Sequence, residues 1–108
     1  MDKSTATKIK SALRKVSMYH PARKEALDRN KTPYSSYKCD ACAYTFPKEL
    51  IFVDHIHPVV KTEGPTDWNA YIERLFCPSY MLQILCRDCH YDKTQAENHR
   101  RRKHKARA

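Results

Sequence analysis

Along residues 7–18 the apolar positions Ile9, Leu13 and Val16 fall on one helical face, with Lys8, Lys10, Arg14 and Lys15 around the rest. Pro21 opens a second predicted helix, which runs to about Asn30, because proline fits a first helical turn. Thr32-Pro33 breaks it. These two helices either pack on the core or form a mobile basic arm. Residues 37–46, YKCDACAYTF, read as a tight turn between two short strands. LIFVDHIH at 50–57 is rich in β-branched and aromatic residues and stops at Pro58, which predicts a strand. Residues 61–67 predict a loop holding the only glycine, Gly64, beside Pro65. Thr66 is the expected cap of a helix from Asp67 to about Phe76, stopped by Pro78. YMLQIL at 80–85 predicts an extended, buried segment, and a last helix starts near Cys86 and enters a basic tail. Short strands and helices mixed in this way predict an α+β fold without internal repeats.

The chain has 108 residues, enough for one domain, and only 41% of them are hydrophobic. So modest a core calls for a staple, and bound metal is one. No apolar run approaches the roughly 18–20 residues of a membrane span. MDKSTATKIK lacks the apolar segment of a secretory signal, so the expected setting is a reducing cytoplasm. Five cysteines in that setting point to metal or catalysis rather than disulfides.

Charge is unevenly spread. The net +9 divides into +6 over residues 1–31 (nine Lys/Arg, three Asp/Glu), −3 over 32–92 (five against eight) and +6 over 93–108 (seven against one). Two basic ends flanking a slightly acidic centre suit a polyanion, with nucleic acid the first candidate and solubility alone the plainer explanation.

Cys39-x-x-Cys42 and Cys86-x-x-Cys89 share one spacing. Each pair can supply half a tetrahedron, and together they predict a four-cysteine structural zinc site with Zn–S bonds of about 2.3 Å. The 43 residues between the pairs must loop out from that clamp. Reduced free thiols or a redox pair are the alternatives. Cys77 has no partner at this spacing and reads as an ordinary buried cysteine.

Between the pairs lies Asp54-His55-Ile56-His57-Pro58, and directly after the second pair come His90 and Lys93-Thr94. C-x-x-C, then D-H-I-x-P, then L-Q-x-L-C-x-x-C-H-x-x-K-T, in this order, resembles the HNH endonucleases of small phage or mobile-element type. The resemblance covers roughly residues 37–98, leaving a basic helical arm at 1–36 and a basic tail at 99–108. It implies a ββα-metal (His-Me finger) core in which His55 is the general base and Asp54 and His90 hold a catalytic divalent cation. Mg²⁺, Mn²⁺ or Ni²⁺ suits such a donor pair. The implied substrate is duplex DNA, cut with low sequence specificity, in a bacterial host's cytoplasm if the chain is phage-borne. Nicking and double-strand cutting are not distinguished. His57 and Lys93 are candidates for support or phosphate contact.

The chemistry is coherent in itself. Phosphodiester hydrolysis needs an activated water and charge stabilisation at phosphorus, and an imidazole with a pKa near about 6.5 accepts a proton at neutral pH. On the last helix His90, Lys93, Thr94 and Glu97 share a face. On a strand, however, neighbours point to opposite sides, so Asp54 and His55 serve one site only where the strand ends or twists. Nine residues before the final histidine, where the family carries an asparagine that steadies the catalytic loop, this chain has Met81. That departure favours the alternative function, a zinc-stabilised DNA-binding protein with a weak or inactive site.

Overall fold

A computed structural model describes residues 1–59 and 67–107, with side chains as far as 103 in the last helix. In chain order the elements are α1 (Lys3–Ser17), α2 (Pro21–Asn30), β1 (Tyr37–Lys38), β2 (Thr45–Phe46), β3 (Ile51–His55), α3 (Trp68–Leu75), β4 (Leu82–Cys86) and α4 (Arg87–Arg107). The expected α+β composition is present. β1 pairs antiparallel with β2, and β3 pairs antiparallel with β4 from Ile51↔Cys86 to His55↔Leu82.

β4 is the centre of the molecule, buried along its length except at half-exposed Gln83. Leu82 and Ile84 pack with Ala22, Ala26 and Cys77, while Leu85 and Cys86 pack with Cys39. Of the alternatives for the N-terminal helices, packing holds for α2. Its alanines let the backbone approach β4, and Ala26 is 0% exposed. Arg29 ties the same helix down, its guanidinium donating to the carbonyls of Ser79 and Leu82 at 3.3 and 3.0 Å.

α1 sits more lightly. Asp2 caps it, Oδ1 accepting from Thr5 N at 2.7 Å. Ile9 and Leu13 are half-buried but Val16 is 59% exposed, so the predicted stripe is covered only in part. Arg14 Nε donates to Tyr71 Oη at 3.2 Å and joins α1 to α3. At α3 the cap is Asp67, whose Oδ1 accepts from Ala70 N at 2.7 Å. Thr66, Gly64 and Pro65, expected in the preceding loop, lie outside the described residues. The 80–85 segment divides into a 3-10 turn at Ser79–Met81 and then β4. Among the described residues no helix is long and apolar enough to cross a membrane.

Candidate metal centre and active site

The turn between β1 and β2 carries Cys39 and Cys42, and the junction of β4 with α4 carries Cys86 and Cys89. Ala43 N closes the turn on Cys39 O at 3.0 Å, with Ala43 at a left-handed φ of 67°. The four sulfurs lie within 4.8 Å of one another, and Cys42 and Cys86 Sγ are 4.0 Å apart. A tetrahedral ion with bonds near 2.3 Å needs sulfurs about 3.8 Å apart, so small movements suffice. Burial opposes ionisation of Cys39, yet backbone bonds from Cys42, Cys86 and Ala41 outweigh it and bring its pKa down to about 6. Contact with Cys86, followed by burial, pushes Cys89 up to about 12. Cys39 is thus the readiest of these thiols to ionise and Cys89 is held back, and a cation at the cluster favours the thiolate form of all its ligands. Cys77 stays outside this cluster, and burial raises its pKa.

Asp40, inside the first C-x-x-C, locks this turn to β4. Its N–H donates to Ile84 O and its Oδ2 accepts from Ile84 N, both at 2.7 Å. Its Oδ1 accepts from Asn30 Nδ2 at 2.8 Å, and the same amide reaches Lys38 O at 2.7 Å. The cysteine turn, α2 and the central strand are thereby one assembly. An acidic residue between metal-spaced cysteines is a signal, but its partners are far apart in sequence.

β3 presents two faces. Phe52 and Asp54 turn toward α4, where the Phe52 and His90 rings stack 4.8 Å apart at 12°. Ile51 and Val53 turn toward the Ala22, Ala26 and Ile84 cluster. The strand runs through His55, so the expected alternation holds there and Asp54 and His55 leave from opposite sides.

On the α4 side, His90 Nε2 lies 3.9 Å from Asp54 Oδ1. Asp54 Oδ2 takes Lys93 Nζ at 2.9 Å and Gln83 Nε2 at 3.3 Å, and Lys93 also reaches Glu97 Oε2 at 2.8 Å. Burial opposes the Lys93 charge, but the bonds to Glu97 and Asp54 outweigh it and raise its pKa above the ordinary lysine value. Lys93 is thus an intramolecular partner of Asp54. An imidazole nitrogen and a carboxylate oxygen converging at this distance form a donor pair that fits a divalent cation.

On the other side, His55 Nε2 lies 3.1 Å from Leu75 O at the end of α3. A carbonyl only accepts, so Nε2 carries the proton and Nδ1 of the neutral ring keeps its lone pair. Burial is the main reason the ring's pKa falls below 6.5. His55 and His57 help line a cavity of about 220 Å³ with Arg74, Tyr80 and Met81. Arg74 is held by Pro58 O at 3.1 Å. Met81 O accepts from Ile56 N at 3.0 Å, so a main-chain bond steadies the residue after His55 where the resemblance implies an asparagine side chain.

Asp54, His90 and Lys93 are therefore brought together, and His55 with His57 forms a second group across the end of the same strand. Asp40, Asn30 and Arg74 are further residues of these surroundings that the sequence motifs did not single out, and Gln83, the Q of L-Q-x-L, enters them as a donor to Asp54. Comparison of the chain with models of protein families, with curated proteins and with solved structures finds no match.

Proposed function

We propose that the chain is a metal-dependent DNA endonuclease of the HNH type, with β3, β4 and α4 as its ββα-metal core. One observation carries the reading: β3 ends by aiming Asp54 at His90 of α4 and leaving His55 with Nε2 bonded to Leu75 O and Nδ1 without a hydrogen-bond partner among the described residues. The open Nδ1 takes a proton from water, and the carbonyl of Leu75 holds the ring so that the lone pair keeps its direction. Asp54 and His90 hold the cation, Mg²⁺, Mn²⁺ or Ni²⁺. A divalent cation bound there supplies charge stabilisation for the scissile phosphate and the leaving 3′ oxygen. His55 and Asp54 act from the two sides of one strand end, so the phosphate is bound across that end.

Zinc is the ion proposed for Cys39, Cys42, Cys86 and Cys89. Four thiolates leave no open coordination position, which makes its role structural. Exposed cations on α1 and along α4, among them Lys8, Lys15, Arg100 and Arg102, supply affinity for duplex DNA without reading bases.

A second reading, a zinc-stabilised DNA-binding protein, draws support from the engagement of Asp54 by Lys93 and Gln83. Incubating the pure chain with supercoiled plasmid and Mg²⁺, Mn²⁺ or Ni²⁺ separates the two. The nuclease relaxes or linearises the plasmid, and Asp54→Ala or His90→Ala abolishes this or raises the metal required. Tight binding without cutting under all three metals selects the binding protein.

A further inference from the structure

Lys93 joins Asp54 Oδ2 and Glu97 Oε2 at 2.9 and 2.8 Å, and the side chains of Lys93 and Glu97 are only 21% and 12% exposed. The other Asp54 oxygen faces His90 Nε2. One carboxylate thus carries an ammonium on one oxygen and looks toward the imidazole with the other. A divalent cation at Asp54 and His90 has to share that carboxylate with a like charge, in surroundings that screen poorly.

We infer that Lys93 is a resident counter-ion: it holds Asp54 until a divalent cation binds, then yields the carboxylate and becomes available to phosphate. This rests on the proposed role of Asp54 and His90 as cation ligands. The residue type fits the task. A lysine ammonium is a point charge on a flexible four-carbon stem, able to leave one partner without a fixed bidentate geometry. Glu97, one turn further along α4, stays as the ammonium's remaining partner when Asp54 releases it, so one of its two anionic contacts is vacated for phosphate. Gln83 continues to donate to Asp54, so the carboxylate stays oriented.

Two consequences follow. Lys93 lowers cation affinity in the DNA-free protein. Cation binding also frees a positive charge for phosphate, so cation and DNA strengthen each other's binding by the same factor. A lysine that merely supports Asp54 predicts the reverse of the first consequence, because its removal disorders a ligand.

The test is direct Mn²⁺ titration of the full, zinc-loaded chain, reading free Mn²⁺ by electron paramagnetic resonance. Lys93→Met is expected to bind Mn²⁺ about tenfold more tightly than wild type or better. Lys93→Gln, which keeps a donor for Glu97, is read in the same way and serves if the methionine variant does not fold. In a His55→Ala background, fluorescence anisotropy then compares duplex DNA affinity with and without Mn²⁺. The Mn²⁺-dependent gain is expected to shrink when Lys93 is replaced. Equal or weaker Mn²⁺ binding by the Lys93 variants overturns the counter-ion role. Absence of Mn²⁺ binding in wild type and in every variant overturns the cation site itself along with it. Mn²⁺ binding that Asp54→Ala removes, without any gain on replacing Lys93, leaves the site standing and overturns only the counter-ion.

Discussion

Replacing Asp40 with alanine tests whether the metal turn and the central strand are one structural unit. The change deletes two accepted hydrogen bonds, from Ile84 N at 2.7 Å and from Asn30 Nδ2 at 2.8 Å. The backbone bond from Asp40 N to Ile84 O survives. Ile84 is 0% exposed, so its N–H is left without a partner in the interior, at a cost of about 1–3 kcal/mol. Asn30 is nearer solvent and keeps its bond to Lys38 O, so its loss adds about 1 kcal/mol. The sum is about 2–4 kcal/mol, which at about 4 °C per kcal/mol for a domain of this size lowers Tm by about 8–16 °C. Thermal unfolding of zinc-loaded protein, followed by far-UV circular dichroism, measures this. Asp40→Asn is the companion. Its amide oxygen still accepts from Ile84, but its NH₂ then meets the NH₂ of Asn30, so it is expected to lose about half as much. A Tm for Asp40→Ala within about 2 °C of wild type would refute the reasoning and show that the cysteine turn docks by its metal alone.

Three further outcomes are expected. Elemental analysis should find about one Zn²⁺ per chain, and chelation should unfold the β1–β2 turn; folded, zinc-free protein with dispersed amide spectra contradicts the structural-ion reading. Neutralising the exposed Arg100, Arg102 and Lys103 together should flatten the slope of log DNA affinity against log salt by about 2–3, and an unchanged slope means that this part of α4 does not touch phosphates. Burial depresses the His55 pKa below its ordinary 6.5, so the folded protein binds that proton less readily than the unfolded chain. Its contribution to stability is full above 6.5 and is lost as pH falls through the lower folded value, so the stability gap to His55→Asn should narrow on acidification; a pH-independent gap contradicts the buried, neutral ring.

The parts of the site legible in the sequence are those whose chemistry imposes a spacing. Two equal C-x-x-C pairs announced a common cluster because one ion needs four sulfurs from two tight turns. His90, Lys93 and Glu97 were placed on one helical face by the helix period. The strand period likewise puts Asp54 and His55 on opposite sides unless the strand ends or twists between them, and β3 runs through His55. What was not legible depends on long-range partners. PARKEALDRN has no broad apolar stripe, and its small Ala22 and Ala26 matter only because β4 approaches them closely. Asp40 bonds a strand 44 residues away. Lys93 reads from the sequence as a candidate for support or phosphate contact, and its pairing with a carboxylate from a different element is something helical spacing cannot reveal.

The central claim is proton transfer at His55, across the end of β3 from a cation on Asp54 and His90. The most direct test compares single-turnover plasmid cleavage by wild type and His55→Ala at saturating Mg²⁺ or Mn²⁺, with zinc content and DNA affinity measured on the same samples. Loss of a general base costs about 10²–10⁴ in rate, so cleavage by His55→Ala should fall by that factor while zinc content and DNA affinity stay within about twofold of wild type. Equal cleavage by the two proteins, at equal zinc content and affinity, would contradict the assignment of the base.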